Sequence, residues 1–336
     1  MDWHYANGET MLGLLAVARA SGDRKYHDFV RKFCDFTLAN AGYFRWQYDS
    51  LHILRGSYHR LFRRSMLDDT GGPALPFLEL YDEASGNNWR ELVSAMAEFV
   101  SIKQDRLPDG TLCRPEPEAM TVWADDMFMS VPFMLRMAKI TGDSTWYDDA
   151  VRQIINFARY LRDPQTGLFY HGWFSGANKN ACVFWGRANG WVAWALSEAL
   201  LSLPDRHPGH EKVLEIYRDF MKTLIRFQDS SGMWHQVLDH PESYPETSCS
   251  AMFVLALARG VNQGWLNRDF GTAAEKGWAG IRAKIDSTGV VHGICRGTGI
   301  GPDLNYYMKR PTFDNDPRGL GAVLVAATEV SAFSQK

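Results

Sequence analysis

Six apolar segments with one shared layout recur along the chain, and this repeat constrains the fold more than any other feature. Each segment begins with a small or polar cluster and continues as an apolar helix, with starts at residues 8, 71, 126, 190, 248 and 319. The intervals between these starts are 63, 55, 64, 58 and 71 residues. Self-similarity at a regular interval is typical of repeat architectures, in which each unit is one supersecondary element.

Amphipathic segments lie between the apolar ones. In residues 23–38, Phe29, Phe33 and Phe36 recur at spacings of three and four with charges between them, which predicts a helix with one wet face. Four further segments share this pattern, at residues 87–100, 144–161, 211–227 and 270–285. The six apolar segments are hydrophobic on nearly all sides, so we expect them to be inner helices, with N-caps supplied by the polar clusters before them.

Alternating inner and outer helices predict an all-α protein whose helical hairpins close into a ring, an (α/α)6 barrel. A solenoid is the alternative, although six hairpins are enough to close a toroid. The sequence contains six inner but only five clear outer helices, and the missing one should precede the first inner helix, close to Met1. No linker or shift in composition divides the chain, so we expect a single catalytic domain over residues 1–336.

Composition excludes several classes of function. The chain has 36 basic and 39 acidic residues and a formal charge of -3, so it lacks the basic footprint of a nucleic-acid-binding protein. No apolar run approaches the ~18 residues of a membrane span. The five cysteines form no CxxC pair, which argues against a disulfide framework or a zinc site. No HExxH, GxGxxG or Walker-type run occurs.

We therefore expect no metal, no cofactor, no nucleic acid and no membrane partner, and either a monomer or a homodimer. No basic segment followed by an apolar one is visible near the start of the sequence. This predicts a cytoplasmic protein, or a periplasmic one from which a leader has been removed.

In a ring of inner helices that run the same way, the helix N-termini meet at one end. Unpaired N–H groups and partial positive charge gather there and favour anionic ligands. Polar and aromatic residues at the helix starts and on the long loops share this end: Asn7, Asp68, Asp69, Asp125, Asp126, Arg187, Asn189, Glu246, Arg318, His171, Trp173, Trp185, Trp234 and His235. Such a set suits a sugar acid, because Arg pairs with a carboxylate and Trp offers a flat stacking face.

Asp125 is the leading candidate for a catalytic acid. Trp123 and Met127 to Met129 flank it, and desolvation by such neighbours is expected to raise its pKa towards the range of a general acid. The alternative for any Asp at a helix start is an ordinary N-cap, which is the commoner role. Met129 can likewise be simple core packing.

At these residues the chain resembles the unsaturated rhamnogalacturonyl hydrolases, glycoside hydrolase family 105, which are related to the unsaturated glucuronyl hydrolases. The matching runs cover nearly the whole chain in the family's order: WHYANG at 3–8, LDDTGG at 67–72, VWADDMFMSVPF at 122–133, YHGW at 170–173, WGRANGW at 185–191, GMWHQVLD at 232–239, YPETSCSAM at 244–252, GICRGTGIG at 293–301 and DPRGLGAVLVAATE at 316–329. One run alone would be weak, but the ordered set over a matching helical repeat is strong.

The resemblance implies an (α/α)6 barrel acting on oligosaccharides whose non-reducing end is a 4,5-unsaturated uronic acid made by a polysaccharide lyase. It further implies that an Asp protonates carbon 4 of the enol ether, that water adds at carbon 5, and that the hemiketal opens and expels the aglycone. By motif position Asp125 resembles this acid and base, and Asp126 ranks below it. Asp69 resembles the second carboxylate, which binds sugar hydroxyls or positions water.

The resemblance also implies a substrate-binding set of His171, Trp185, Arg187 and Trp191, with Arg187 on the uronate carboxylate. Other residues join this predicted set because they lie within the matching runs: Tyr5, Met129, Trp173, Asn189, Trp234 and His235. One stretch departs from the family, since relatives carry a Trp-His-Lys-like run where this chain has Thr111–Pro115. The sugar next to the uronic acid and the parent polysaccharide are therefore left open.

Two other functions stay open at this point. A conventional inverting glycosidase could use Asp69 and Asp125 as its base and acid on the same barrel. A catalytically silent toroid could bind sugar or protein with its Asp residues as helix caps, because one fold hosts many functions.

Overall fold

The computed structural model describes residues 2–83 and 86–335. In chain order its α-helices are α1 (Tyr5–Ser21), α2 (Arg24–Ser50), α3 (His59–Arg63), α4 (Gly71–Glu79), α5 (Asn87–Glu98), α6 (Asp125–Thr141), α7 (Thr145–Leu161), α8 (Gly186–Ser202), α9 (His210–Ile225), α10 (Thr247–Asn262), α11 (Asp269–Arg282), α12 (Leu304–Met308) and α13 (Pro317–Ser331). The short strands are β1 (Thr121–Trp123), β2 (Gly172–Phe174), β3 (Lys179–Asn180), β4 (Ile294–Cys295) and β5 (Thr312–Phe313).

The inner wall of an (α/α)6 barrel is formed by α1, α4, α6, α8, α10 and α13. Each of these helices packs on the next in this order, and α13 closes the ring on α1. Their first residues, at positions 5, 71, 125, 186, 247 and 317, lie close to the predicted starts. The repeat is therefore confirmed, and because the ring is closed the fold is a toroid and not a solenoid.

Five outer helices, α2, α5, α7, α9 and α11, each pack on the inner helix that precedes them in the chain. Within the described part of the chain no outer helix precedes α1, as the sequence predicted; Met1, where that boundary was expected, lies outside the described residues. Helix α2 continues to Ser50, well beyond the predicted end at residue 38. A lone glycine such as Gly42 is tolerated inside a helix, so the small residues there do not end it.

Glycines in the clusters of small or polar residues at the starts of the inner helices lie where two of these helices cross. A β-carbon on Gly8 would clash with the carbonyl oxygen of Gly72, and one on Gly71 would clash with that of Met129. These clusters were expected to supply N-caps, but at these crossings they act by letting neighbouring helices approach to backbone distance.

A ring of charges with alternating sign closes the end of the barrel where the inner helices finish. Each inner helix contributes one member near its C-terminus: Arg19, Glu79, Arg136, Glu198, Arg259 and Glu329. Ion pairs between 2.6 and 3.2 Å long join consecutive members from Arg19 to Glu329. We call this set the charge ring. Because the last turns meet here, the first turns must meet at the opposite end.

Two small antiparallel sheets, β1-β2-β3 and β4-β5, lie in the connections between the helices. Strand β1 leads directly into α6, and β2 follows directly after His171. One hydrophobic core runs through the described residues from Trp3 to Ala326. The organisation as a single domain over residues 1–336 stays a prediction, which this continuous core favours. No helix in the described ranges has the length and apolarity to cross a bilayer.

Candidate active site

The first turns of the inner helices meet at one mouth of the barrel. The hydroxyl of Tyr5, the first residue of α1, accepts a hydrogen bond from Nε of Arg318 on α13 at 3.3 Å. Nη1 of Arg187, near the start of α8, approaches Oγ of Ser248 on α10 at 3.4 Å. These contacts bring together residues that the sequence placed at the same end of the ring.

Asp125 begins α6 and is not a helix cap. The N-cap position belongs to Ala124, and no side chain caps this helix. Oδ2 of Asp125 is buried and accepts no hydrogen bond among the described residues, while the side chain as a whole keeps 15% of its exposure. The carboxylate is therefore open to a ligand, which removes the commoner explanation of an Asp at a helix start.

His171 is a close polar neighbour of Asp125. Its Nε2 lies 3.3 Å from Oδ2 of Asp125, although the two atoms lack the alignment of a hydrogen bond. The imidazole is fully buried, edge-on to Trp123 with ring centroids 5.4 Å apart and 4.6 Å from the ring of Trp185. The carbonyl of His171 accepts the N–H of Ala124 at 3.0 Å, which fixes this loop against the start of α6.

The pKa of Asp125 is lowered from its ordinary value. Burial alone would raise it, but contact with His171 and the positive charges of Arg114 and Arg187 outweigh that effect. Desolvation does raise this pKa, but the expected net rise was wrong in direction, because the neighbours that fold against Asp125 and lower its pKa come from distant parts of the chain. The carboxylate is consequently ionised at neutral pH.

Arg114 joins two further carboxylates at the mouth. Its Nε lies 2.9 Å from Oδ2 of Asp126, and its Nη2 lies 2.6 Å from Oδ1 of Asp126 and 2.8 Å from Oδ1 of Asp68. Burial raises the pKa of Asp126 to about 6 in spite of Arg114, so this pair is still ionised at neutral pH. Asp126 is fully buried and its charge is balanced by that of Arg114, so it is a poorer candidate acid than Asp125.

Sequence reasoning missed Arg114. The residue lies in the stretch Thr111–Pro115, which stood out only as a departure from the family. Because Arg114 lies in a loop, no periodic pattern in the sequence predicts its contact with Asp68, which is 46 positions away in the chain.

The expectation for Asp69 needs correction. This side chain is fully buried, and its carboxylate accepts hydrogen bonds from Arg60 at 3.2 Å, from Arg63 at 2.6 and 2.9 Å, and from Ser65 at 3.0 and 3.1 Å. Asp68 is 18% exposed and uses one oxygen on Arg114. Adjacent residues of the 3₁₀ turn Leu67–Asp69 point in different directions, so only one of the two carboxylates can face the mouth.

Arg187 is almost fully buried and has no carboxylate partner within ion-pair distance among the described residues. Its Nη1 and Nη2 donate to the carbonyls of Cys295 at 2.5 Å and Arg296 at 2.7 Å, and the guanidinium lies 4.5 Å from the ring centroid of Trp185. Its Nε is buried and has no acceptor in the described part of the chain. A buried cation that is hydrogen-bonded but not neutralised favours an anionic ligand.

Three predicted binding residues lie at or beneath this cluster. Trp185 is buried, and its indole N–H donates to Oε1 of Gln236 at 3.2 Å. Met129 and Trp191 are buried one helical turn below Asp125 and Arg187, and Trp191 stacks on Phe128 with ring centroids 4.8 Å apart. Met129 and Trp191 therefore support the site from the barrel interior.

The side chains of Asn189 and Trp173 contact structural partners and do not face the mouth. The side-chain amide of Asn189 bonds both the N–H of Phe169 at 2.8 Å and its carbonyl at 2.7 Å, which fastens the loop that carries His171. Trp173 pairs across the sheet with Val122 and packs against Tyr160 at 4.5 Å. Because successive residues of a strand face opposite sides of the sheet, the side chain of Trp173 lies on the same side as that of Val122 and on the opposite side from that of Trp123.

Trp234 and His235 also lie elsewhere. The indole N–H of Trp234 donates to the carbonyl of Leu224 at 2.8 Å, within the packing of the outer helix α9. Nδ1 of His235 lies 2.5 Å from the carbonyl of Ser243, and its Nε2 lies 3.2 Å from Oδ2 of Asp229. Both side chains hold the connection between α9 and α10 together, so the prediction that they bind substrate is not supported.

Among the described residues, the cluster offers a carboxylate that accepts no hydrogen bond, a guanidinium without a carboxylate partner, and aromatic faces. In residues 2–83 and 86–335, no three His, Cys, Asp or Glu side chains are grouped so that they could hold a metal ion. The groups that are present suit proton transfer on a substrate that carries a carboxylate and a flat ring.

The chain is similar to known proteins in both sequence and structure. A family model described as Glycosyl Hydrolase Family 88 matches residues 1–334. The chain is 32% identical over 259 residues to "Unsaturated rhamnogalacturonyl hydrolase YesR" of Bacillus subtilis (strain 168), across 75% of this chain and 74% of that protein. It is 32% identical over 216 residues to "Unsaturated 3S-rhamnoglycuronyl hydrolase" of Alteromonas sp. (strain LOR), across 62% of this chain and 50% of that protein. A solved glycoside hydrolase from family 105 of C. acetobutylicum ATCC 824 matches with a TM-score of 0.87 at 25% identity, covering 98% of this chain and 94% of that one.

Proposed function

Because the chain belongs to glycosyl hydrolase family 88, we propose that it removes a 4,5-unsaturated uronic acid from the non-reducing end of oligosaccharides. One observation carries the proposal: among the described residues, the partly exposed carboxylate of Asp125 accepts no hydrogen bond and buried Arg187 has no carboxylate partner. An unsaturated uronyl residue needs both a proton donor and a site for its carboxylate. Two similar proteins are named for unsaturated rhamnogalacturonyl and rhamnoglycuronyl substrates, which supports this substrate class.

In the proposed reaction Asp125 acts first as an acid and then as a base. It gives its proton to carbon 4 of the enol ether, and positive charge develops on carbon 5 and the ring oxygen. Water adds to carbon 5 and loses a proton to the Asp125 carboxylate, which restores the acid. The resulting hemiketal opens and releases the aglycone as an alcohol.

Substrate binding supplies the acid form of Asp125. In the free protein the pKa of Asp125 is held low, with Arg187 among the responsible cations. A uronate carboxylate bound to Arg187 offsets that positive charge and adds a negative one close to Asp125. Both effects raise the pKa of Asp125, so the substrate promotes protonation of the group that attacks it.

Asp68, in place of Asp69, is the proposed second carboxylate. It is partly exposed, and Arg114 holds its Oδ1, which leaves Oδ2 for a sugar hydroxyl or the attacking water. The oxygens of Asp69 are committed to Arg60, Arg63 and Ser65 and have no comparable freedom.

The test is the loss of ultraviolet absorbance when the conjugated double bond of a lyase-generated disaccharide is hydrated. The wild-type protein should remove this absorbance, and Asp125→Asn should slow the loss at least ~100-fold, as expected for removal of a general acid. Asp143→Asn is the matched control, because Asp143 is exposed, lies outside the site and accepts the N–H of Thr145 at the start of α7, a bond that the Asn oxygen can also accept.

Two outcomes contradict the proposal. Cleavage of saturated glycosides with the absorbance unchanged would identify a conventional inverting glycosidase. Sugar binding without either reaction would identify a non-catalytic toroid.

A further inference from the structure

Tyr307 lies behind His171, on the side away from Asp125. It belongs to the short helix α12, and its side chain and that of His171 are both fully buried. The Tyr307 hydroxyl lies 2.7 Å from Nδ1 of His171, and the other ring nitrogen, Nε2, lies 3.3 Å from Oδ2 of Asp125. The three side chains therefore form a continuous line from the interior to the carboxylate at the mouth.

The protons along this line can be assigned by counting donors and acceptors. The N–H of Gly301 donates to the Tyr307 hydroxyl oxygen at 2.9 Å, so that oxygen is already an acceptor. Its single proton then needs an acceptor of its own, and Nδ1 of His171 is the one within reach among the described residues. A hydrogen bond in this direction requires Nδ1 to be bare and leaves the imidazole proton on Nε2.

The opposite arrangement leaves groups unsatisfied. If Nδ1 carried a proton, it would donate to the Tyr307 oxygen, and the phenolic proton would be buried without an acceptor. With a neutral ring, the bare Nε2 would also face the carboxylate of Asp125, lone pair against negative charge. An unsatisfied buried hydroxyl costs about 1–3 kcal/mol, so the first arrangement is favoured.

We propose that Tyr307 is a positioning residue, which holds His171 as the neutral tautomer with its Nε2–H directed at Oδ2 of Asp125. The role rests on the hydrolysis proposed above. In the free protein Nε2 and Oδ2 are close but not aligned, and catalytic hydrogen bonds of this kind often tighten only when substrate binds. Once aligned, the Nε2–H orients the Asp125 carboxylate without placing a full positive charge beside the group that must take up a proton.

Nothing in the sequence pointed to Tyr307. It lies 136 positions from His171 and outside the motif runs, and its neighbour Tyr306 has the same side chain without the contact to His171. The ring of Tyr307 packs edge-on to His171 with ring centroids 5.7 Å apart, and this packing distinguishes Tyr307 from Tyr306.

The tautomer can be measured directly by ¹⁵N NMR of the wild-type protein labelled at its histidine rings, without substrate. A protonated and a bare ring nitrogen resonate in well-separated regions. His171→Gln identifies the His171 signals among those of the ten histidines. We expect a bare Nδ1 and a protonated Nε2, and a proton found on Nδ1 would overturn the proposal.

Tyr307→Phe tests the catalytic consequence. We expect kcat to fall about 10- to 100-fold, the range for loss of a partner that orients a reacting group, while KM changes less than about threefold. The His171 ring should at the same time lose its single tautomer in the NMR spectrum. Tyr306→Phe, the same chemical change one residue earlier, should alter neither measurement.

An unchanged tautomer together with an unchanged kcat in Tyr307→Phe would refute the role. If Tyr307→Phe does not fold, the wild-type spectrum still decides, since it depends on no substitution at Tyr307. Failure here is distinct from failure of the proposed function, because the tautomer is read without substrate and the function is read from absorbance with Asp125→Asn.

Discussion

The charge ring leads to a prediction about stability that compares two arginines in the same structure. Arg136 is 15% exposed and bridges Glu79 at 2.6 Å and Glu198 at 2.9 Å. Arg19 is 64% exposed and reaches Glu79 alone, at 3.2 Å. Replacing each by Met removes one positive charge from the ring and keeps an unbranched side chain, so the two variants differ in burial and in the number of ion pairs that are lost.

Breaking a buried ion pair from one side costs roughly 3–5 kcal/mol, because the remaining charge is left uncompensated. For Arg136→Met we expect the lower end, about 3 kcal/mol, since Arg259 still pairs with Glu198 and Arg19 with Glu79. Arg19→Met should cost less than about 1 kcal/mol, as exposed pairs do. An unfolding entropy of about 2.1 cal/mol/K per residue gives about 0.7 kcal/mol/K for 336 residues, so the Tm should fall by about 4 °C for Arg136→Met.

Calorimetry and urea unfolding measure both variants, and pH supplies a second check. Burial would raise the pKa of Glu198, but Arg136 and Arg259 lower it to about 2 from an ordinary value of 4.5. A depressed carboxyl pKa contributes stability that is complete above the unfolded pKa and is lost as the pH falls from about 4.5 to about 2. The difference between wild type and Arg136→Met should shrink in that window. Equal losses for Arg19→Met and Arg136→Met would refute the reasoning.

Four further predictions concern the site and the barrel interior. The pKa of the catalytic acid should be higher in the pH profile of kcat than in that of kcat/KM, because the first reports Asp125 with substrate bound and the second reports free Asp125; coincident values would contradict substrate-assisted protonation. Arg187→Lys should raise KM for the charged sugar about 10-fold or more with a smaller change in kcat, since Lys lacks the planar fork, and an unchanged KM would mean that Arg187 is structural. Asp68→Asn should lower kcat/KM with little change in Tm, whereas Asp69→Asn should lower Tm, and the reverse pattern would restore Asp69 as the second carboxylate. Glu9 is fully buried and has no hydrogen bond to any described residue, and burial raises its pKa well above the ordinary value of 4.5, so the folded state loses stability as the pH rises above that value. Glu9→Gln should remove that slope and raise the Tm at pH 7, and parallel pH curves would show that Glu9 is ionised when folded.

The fold could be predicted because its signals are local. Each inner helix is apolar all round and each outer helix has one wet face, so the helices and their order can be read from periodicity in short windows. Closure of the ring could be predicted from the number of repeats alone. The length of α2 was underestimated because the regular apolar spacing was followed only over residues 23–38, whereas the helix continues to Ser50.

The site could be predicted only in part, because its geometry depends on contacts between distant residues. Helix starts and motif runs pointed correctly to one mouth shared by Asp125, His171 and Arg187. They could not separate Asp68 from Asp69, since neighbouring residues in a tight turn differ only in direction. The pKa of Asp125 is lowered where a rise was expected, for a similar reason: His171 and then Arg114, which both lower it, reach the mouth from loops without periodicity.

Contact between α1 and α13 has a consequence for how the protein is made. Tyr5 and Arg318, whose side chains meet at the mouth, are 313 residues apart in the chain. During synthesis the first five inner helices therefore leave the ribosome as an open arc, in which the faces of α1 and α10 that pack on α13 are still uncovered. Contacts of such long range slow folding, and exposed apolar surface in the meantime favours aggregation. Catalytic competence should therefore appear late and all at once, when the final inner helix docks.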